Sequence, residues 1–257
     1  MPSPLAHPAA SIPFTKIGMV FSALVIGSIA PDLWYVIKVG PAFFSYTITG
    51  LFVFDLPVGF IMLWLFQALV KWPLLSLLPV GLQRRLYNYA HGFSFRPLKR
   101  FGLVILSLLV GSLTHIIWDS FTHDYGWMVE NFSFLRAVIG RTPLYDILQT
   151  LSTLVGIAIL VYWFFRWLPT APKGDRLASR FSGKVVAIFL ALTAVTLAVV
   201  EGLILYSRYL SVSPAIHRHM WLGGSLRISA VFIIVFYIGV YCLTWTIAFH
   251  KSIQRVR

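Results

Sequence analysis

The sequence predicts an all-α integral membrane protein, a single transmembrane domain over residues 1–257. Hydrophobic residues make up 58% of the chain and charged residues only 11%, whereas charged residues form about 25% of an ordinary soluble domain. The mean hydropathy is +0.82. The apolar residues are concentrated in runs of about 20 residues, the length that a helix needs to cross a bilayer. These observations predict a polytopic helical bundle with five or six transmembrane helices.

Five apolar runs account for five of these helices. They cover residues 51–70, 101–119, 147–167, 185–206 and 228–249. Trp72 and Trp167 lie at the ends of two runs, as expected for aromatic side chains at the membrane interface. The runs define core helices within residues 51–167 and a C-terminal helix pair within residues 184–250. The chain has only one cysteine, Cys242 in the last run, so an intramolecular disulfide is excluded.

The N-terminal segment, residues 1–38, allows two interpretations, a re-entrant helical hairpin or a first span. Its apolar part, residues 17–37, contains Gly27 and Ser28, and Pro13 precedes it. The uninterrupted apolar stretch is short for a hydrocarbon layer about 30 Å thick, which favours the hairpin. In a hairpin, His7 and Asp32 return to the same side of the membrane. In a full span, His7 lies on the inner side.

Loop charge predicts the orientation. Basic residues predominate in the loops 71–100 and 166–184 and in the tail after residue 249, and loops of this kind collect on the cytoplasmic side. We therefore expect a multi-pass protein of the bacterial cytoplasmic (inner) membrane with a cytoplasmic C-terminus. Every acidic residue except Asp175 then lies towards the outer face. The net charge of +13 is explained by these loops, so nucleic-acid binding is not indicated.

The segment THIIWDSFTH, residues 114–123, carries potential metal ligands at intervals of four residues, namely His115, Asp119 and His123. On a helix, His115 and Asp119 lie on one face. Nitrogen and oxygen donors in this combination are typical of zinc sites. Ionisable groups at the end of an apolar helix are costly, which favours a functional role. Alternatively, these side chains form interfacial hydrogen bonds that tie helices together.

Four motifs in order resemble the DUF4184 family of bacterial integral membrane proteins: His7-Pro8-Ala9-Ala10, ALVIGSIAPD at residues 23–32, FDLPVG at residues 54–59 and THIIWDSFTH. The resemblance covers at least residues 1–160, and the family is distantly similar to DUF457-type membrane-bound metal-dependent hydrolases. It implies a divalent metal, zinc or manganese, held by His7, Asp32, His115, Asp119 and His123. The chain reads Ser45-Tyr46-Thr47 where we expect many relatives to carry Ser-His-Thr, and this departure puts catalysis in question.

Further polar residues are assigned around this site. Asp55, within an apolar run, is a catalytic candidate beside Asp119, either orienting an imidazole or binding metal; alternatively it caps its own helix before Pro57. Arg136 and Arg141 are candidates for holding a substrate phosphate or carboxylate. Their alternative role is surface pairing with an acidic residue. We assign Tyr46 to substrate binding with the arginines.

The function expected from these residues is metal-dependent hydrolysis of a membrane lipid or a lipid-linked or membrane-proximal (phospho)ester. A bound metal would activate water for this reaction. Two other functional classes are also compatible with these residues. One is a transporter or ion-binding protein, in which buried carboxylates and histidines relay ions. The other is a non-enzymatic structural membrane protein that uses the same polar cluster.

Overall fold

A computed structural model describes residues 6–34, 44–140 and 142–174. The chain divides into two compact units, the first formed by Met1–Phe66 with Gly92–Ala171 and the second by Gln67–His91 with Pro172–Arg257. The predicted spans over residues 185–206 and 228–249 lie outside the described residues, as does Arg141.

The first unit begins with a hairpin of two short helices, α1 (Pro8–Thr15) and α2 (Phe21–Gly27). Gly18 lies in the turn between them with a φ of 86°, a value that glycine adopts without strain. A 3₁₀ turn, Ala30–Leu33, follows α2. At 1.5 Å per residue each helix is about 10–12 Å long, which is too short to cross a hydrocarbon layer of about 30 Å.

A composite helix follows from residue 48. Thr47 starts it, because its hydroxyl accepts a hydrogen bond from the N–H of Gly50 at 2.9 Å. A 3₁₀ turn (Phe44–Tyr46) precedes this helix, whose successive parts are α3 (Ile48–Gly50), a π-helical turn (Leu51–Asp55), α4 (Leu56–Leu65) and a second π-helical turn (Phe66–Val70). The first π-helical turn ends just before Pro57, which has no N–H to continue the α-helical pattern.

The long helix α7 (Leu98–Thr122) is the central element of the first unit. After it come α8 (Trp127–Asn131), a 3₁₀ turn (Ser133–Arg136), strands β1 (Val138–Ile139) and β2 (Thr142–Pro143), α9 (Leu144–Trp167) and a last 3₁₀ turn (Leu168–Thr170). The two strands pair antiparallel, with Val138 opposite Pro143. This small hairpin adds a minor β element to a mostly helical structure, and strands of two residues leave no periodic signal in a sequence.

Helices α2 and α7 approach each other closely at glycines. A Cβ atom on Gly27 would collide with the carbonyl of Leu108, and one on Gly111 with the carbonyl of Leu24. The hydroxyl of Ser112 donates to the carbonyl of Gly27 at 3.0 Å. Small residues and interhelical hydrogen bonds of this kind drive helix packing in membranes. Around this contact lies a buried apolar core of Val20, Ala23, Ile26, Leu63, Val104 and Leu108.

In the second unit, the described residues form α5 (Lys71–Leu77) and α6 (Val80–His91). The side chain of Gln83 joins these helices, because its amide donates to the carbonyl oxygens of Ser76 and Leu78 at 3.1 and 2.8 Å. Lys71 donates to the carbonyl of Ala90 at 2.7 Å. These bonds hold the two helices as a pair.

Three helical segments are long and apolar enough to cross a membrane, Ile48–Val70, Leu98–Asn131 and Leu144–Thr170, with hydropathies of 2.0, 2.0 and 1.9. They contain the predicted runs 51–70, 101–119 and 147–167. Large apolar side chains are exposed on each, for example Ile61, Ile117 and Leu154. An exposed apolar surface of this extent is typical of contact with lipid. The described residues therefore confirm a mostly helical fold that suggests a membrane protein.

Candidate metal centre

Three residues distant in sequence converge in the first unit, His7, Asp32 and His115. One potential ligand atom from each lies within 4.8 Å of the others. His7 immediately precedes α1, Asp32 lies in the 3₁₀ turn after α2, and His115 faces them from α7. Both histidines are almost fully buried. Since the donor set is two imidazoles and a carboxylate, this cluster could hold a metal ion.

His115 is held in one orientation by the backbone of the N-terminal hairpin. Its Nδ1 atom lies 2.8 Å from the carbonyl oxygen of Ser28, a contact in which the nitrogen is the donor. Nε2 is then directed at Asp119 and Asp32, whose nearest oxygens lie at 3.1 and 3.6 Å, and in the neutral imidazole it carries a lone pair that can bind a metal. This is the arrangement by which a backbone carbonyl orients a metal-binding imidazole.

The two oxygens of Asp119 face different neighbours. Oδ2 lies 3.1 Å from Nε2 of His115, whereas Oδ1 lies 3.5 Å from Nε2 of His7 and 3.5 Å from Nδ1 of His123. Among the described residues, Oδ1 has no hydrogen-bond partner, and the same holds for both nitrogens of His7. Buried polar atoms are rarely left unpaired, so their presence fits a site built for a cation.

The hydroxyl of Tyr46 lies among these groups. It is 3.1 Å from Oδ1 of Asp32, 3.2 Å from Oδ2 of Asp119 and 3.4 Å from Nε2 of His115. The aromatic ring of Tyr46 packs edge-on against Tyr125, with 5.6 Å between the ring centroids. The side chain therefore reaches the same pocket as the clustered histidines and carboxylates.

The two cluster residues outside the candidate spans have shifted pKa values. Burial, reinforced by the charge of His115, lowers the pKa of His7 to about 3. Burial raises the pKa of Asp32, although the neighbouring His115 opposes that shift. His7 is therefore neutral at physiological pH, the form of imidazole that binds metals.

A match to a protein family covers almost the whole chain. Residues 1–245 match the family described as Domain of unknown function (DUF4184). The chain belongs to the DUF4184 family. This confirms the resemblance inferred from the four motifs. Neither the curated proteins nor the solved structures contain a significant match to it.

In this DUF4184 chain, His123 lies beside the cluster but not within it. Helix α7 ends at Thr122, and His123 is already extended, with φ −126° and ψ 146°. Its Nε2 atom lies 3.1 Å from Nε2 of Gln149 on α9. Its Nδ1 atom lies 3.3 Å from the carbonyl oxygen of Asp119. His123 therefore approaches the site through Asp119, and its predicted role as a metal ligand stays a prediction.

Asp55 is fully buried at the end of the first π-helical turn. Its side chain makes no capping hydrogen bond to α4, so the capping alternative is wrong. Neither carboxylate oxygen has a hydrogen-bond partner among the described residues. The turn packs against α7 and against the 3₁₀ turn of Asp32. π-helical turns within α-helices are frequent at functional sites.

Arg136, predicted to bind substrate, is exposed and bonded to its own loop. It donates to the carbonyl oxygens of Val129 and Asp124 at 3.1 and 2.9 Å. Within the described part of the chain, it forms no ion pair with Glu130 or Asp146. Its role in substrate binding stays a prediction, like that of Arg141.

The sequence did not reveal three contacts of this DUF4184 site. They are the carbonyl of Ser28 on His115, the amide of Gln149 on His123, and the ring of Trp118, whose centroid lies 5.5 Å from that of His7. Ser28 lies within the motif ALVIGSIAPD, but a backbone acceptor leaves no mark in residue identity. Trp118 lies within the motif THIIWDSFTH, but nothing in the motif indicates that its ring contacts His7. For Gln149 the sequence holds no signal.

Proposed function

We propose that this DUF4184 protein is a membrane-embedded metal-dependent hydrolase that acts on a membrane lipid or on a lipid-linked or membrane-proximal (phospho)ester. The observation that carries the proposal is the convergence of His7, Asp32 and His115 in a buried pocket beside Asp119. Zinc is the metal that best fits imidazole and carboxylate donors together, and manganese is the alternative.

The chemistry of such a site begins with water. A divalent metal held there would lower the pKa of a coordinated water far enough to supply hydroxide at neutral pH. His115 is positioned to bind because Ser28 fixes its tautomer. Asp119 contacts His7 and His115 and is our first candidate for a catalytic carboxylate that accepts a proton. Asp55, buried beside α7, is the second.

The membrane context supports a lipid or lipid-linked substrate. We propose that the α1–α2 hairpin is re-entrant, because each helix is too short to span and packs against α7. The basic loops favour a cytoplasmic C-terminus in the inner membrane, with the metal pocket at the outer face. A substrate headgroup could enter there, with Arg136 and Arg141 as candidates to hold its phosphate.

Metal content is the direct test. Purified, detergent-solubilised protein would be analysed for zinc and manganese, with His115→Ala and Asp119→Ala beside the wild type. His91→Ala is the matched control, since its ring stacks on Tyr87 in α6 and not in the cluster. We expect metal in the wild type and the control, loss in both site variants, and metal-dependent release of phosphate or acyl groups from lipid esters. Wild-type protein that holds no metal after reconstitution would rule the hydrolase out.

One observation favours a second function, ion transport. Asp55 is a buried carboxylate on an interrupted helix within a candidate span, and no described residue forms a hydrogen bond with it. Carboxylates in this setting mark ion pathways in transporters. Zinc flux into proteoliposomes that is lost in Asp55→Asn, together with an absence of hydrolysis by wild type, would support transport over catalysis.

A further inference from the structure

The pocket around Tyr46 contains more acceptors than protons. Oδ1 of Asp32, Oδ2 of Asp119 and Nε2 of His115 all lie within 3.4 Å of the Tyr46 hydroxyl. If His115 is neutral and its Nδ1 donates to Ser28, its Nε2 carries a lone pair. A hydroxyl has one proton and can donate it to only one of the three. The remaining lone pairs face one another, and a cation would relieve their repulsion.

The spacing of the Tyr46, Asp32 and His115 atoms is close to that of a coordination shell. Ligands that lie 2.0–2.2 Å from zinc at the tetrahedral angle are about 3.3–3.6 Å apart. The hydroxyl of Tyr46 is 3.1, 3.2 and 3.4 Å from the three acceptor atoms. Nε2 of His115 is 3.6 Å from Oδ1 of Asp32 and 3.1 Å from Oδ2 of Asp119. The distances of 3.4 and 3.6 Å fall within this range, whereas those of 3.1 and 3.2 Å from Tyr46 to the two carboxylates are hydrogen-bond distances, so the test must separate a ligand from a hydrogen-bond donor.

The position of Tyr46 is fixed by its own segment. Ser45 is fully buried, and Thr47 bonds both to the carbonyl of Phe44 at 2.7 Å and to the N–H of Gly50 at 2.9 Å. Gly50 lies so close to the carbonyl of Phe44 that a Cβ atom would collide with it. The turn therefore presents the phenol to the pocket without a rearrangement, as a ligand position requires.

We propose that Tyr46 is a metal ligand, binding through its phenolate oxygen together with Asp32 and His115, so that a further coordination position stays open for water. This inference rests on the proposed metal site and goes beyond it, since it changes Tyr46 from a substrate contact to part of the coordination shell. On binding, the O–H bond of the phenol breaks, an oxygen–metal bond forms and the proton leaves to solvent. His7 contacts the other oxygen of Asp119, since its Nε2 atom lies 3.5 Å from Oδ1.

The test compares four full-length proteins in detergent, the wild type, Tyr46→Phe, Tyr46→His and Tyr162→Phe. Tyr46→Phe keeps the ring packing and removes only the oxygen. Tyr162 is 67% exposed on α9 and serves as the matched control. Each protein is titrated with Zn²⁺ against a competing chelator. Each is then loaded with Fe³⁺, because a phenolate bound to ferric iron gives a visible charge-transfer band that unbound tyrosine lacks.

A ligand role predicts opposite behaviour in the two Tyr46 variants. We expect Tyr46→Phe to lose at least about tenfold in zinc affinity, and Tyr46→His to recover most of it because imidazole also binds zinc. The ferric band should be present in the wild type and in Tyr162→Phe and absent from both Tyr46 variants.

Three results would overturn the inference, and the first two are distinguishable from failure of the hydrolase proposal. Zinc affinity that is unchanged or higher in Tyr46→Phe would mean that the phenol only hydrogen-bonds to the carboxylates, while the metal site itself stands. A ferric band that persists in Tyr46→Phe would assign it to another tyrosine. If the wild type binds neither metal, the metal site and the Tyr46 ligand are both refuted.

Discussion

Nε2 of His115 and Oδ2 of Asp119 lie 3.1 Å apart, one turn from each other on α7. This pair comes from a single helix, so its geometry is set by the helix repeat. The other members of the site, His7 and Asp32, come from the two ends of the α1–α2 hairpin. The site therefore forms only when the hairpin packs on α7, and residues that control this packing also control the metal pocket.

Asp119→Asn tests the carboxylate at the middle of the site. The substitution keeps the shape of the side chain but removes the charge that faces His7 and His115. We expect metal affinity to fall by at least about tenfold, measured as zinc retained after dialysis against a chelator. Asp124→Asn is the control, because Asp124 is exposed nearby and its side chain bonds to the N–H of Tyr125. Equal retention in both variants would contradict a role for Asp119.

His123→Ala tests whether His123 binds the metal or only lies next to the residues that do. His123 lies outside the three-residue cluster and contacts only Asp119, Thr122 and Gln149 among the polar contacts described. We therefore expect this variant to keep its metal with a smaller loss of affinity than His115→Ala. The same chelator dialysis measures both. A loss as complete as that in His115→Ala would restore His123 to the ligand set that the sequence predicted.

Two glycines of α7 test the contact between α2 and α7. A Cβ atom on Gly111 would collide with the backbone of α2, so Gly111→Ala should cost about 1–3 kcal/mol and also weaken metal binding. Gly102 has open space around it, so Gly102→Ala should stabilise α7 by up to about 1 kcal/mol through helix propensity. Thermal unfolding in detergent measures both. A Tm that changes in the same direction for the two variants would count against this packing.

Ser112→Ala tests the hydrogen bond between the same two helices. The variant leaves the buried carbonyl of Gly27 without its hydroxyl donor, at a cost of about 1 kcal/mol. Ser120→Ala is the control, since Ser120 donates only within its own helix, to Ile117. We expect a lower Tm for Ser112→Ala and little change for Ser120→Ala. Identical Tm values would show that this interhelical bond contributes no stability.

The sequence predicted the features that depend on local pattern. Hydropathy identified the three described apolar helices, and the four-residue spacing placed His115 beside Asp119. It also favoured the hairpin that joins His7 to Asp32, because glycine and proline interrupt that segment. The sequence could not predict the position of Tyr46, because that position depends on how a separate loop packs against α7. The π-helical turn of Asp55 and the two-residue strands are likewise set by tertiary contacts rather than by periodicity.

Asp55→Asn distinguishes a structural residue from a functional one. Asp55 has no hydrogen-bond partner in the part of the chain that the structure describes, and a buried carboxylate in that situation opposes folding more than a neutral amide of the same shape. If Asp55 exists for function, its replacement should therefore raise stability while reducing activity, the trade-off typical of functional sites. We expect an increase in Tm, each kcal/mol being worth about 2–4 °C in a chain of this size, together with a loss of lipid-ester hydrolysis or zinc flux. Asp146→Asn, at an exposed position in the first turn of α9, should change neither. A fall in Tm would instead mean that Asp55 has a stabilising partner, and unchanged activity would remove it from the catalytic set.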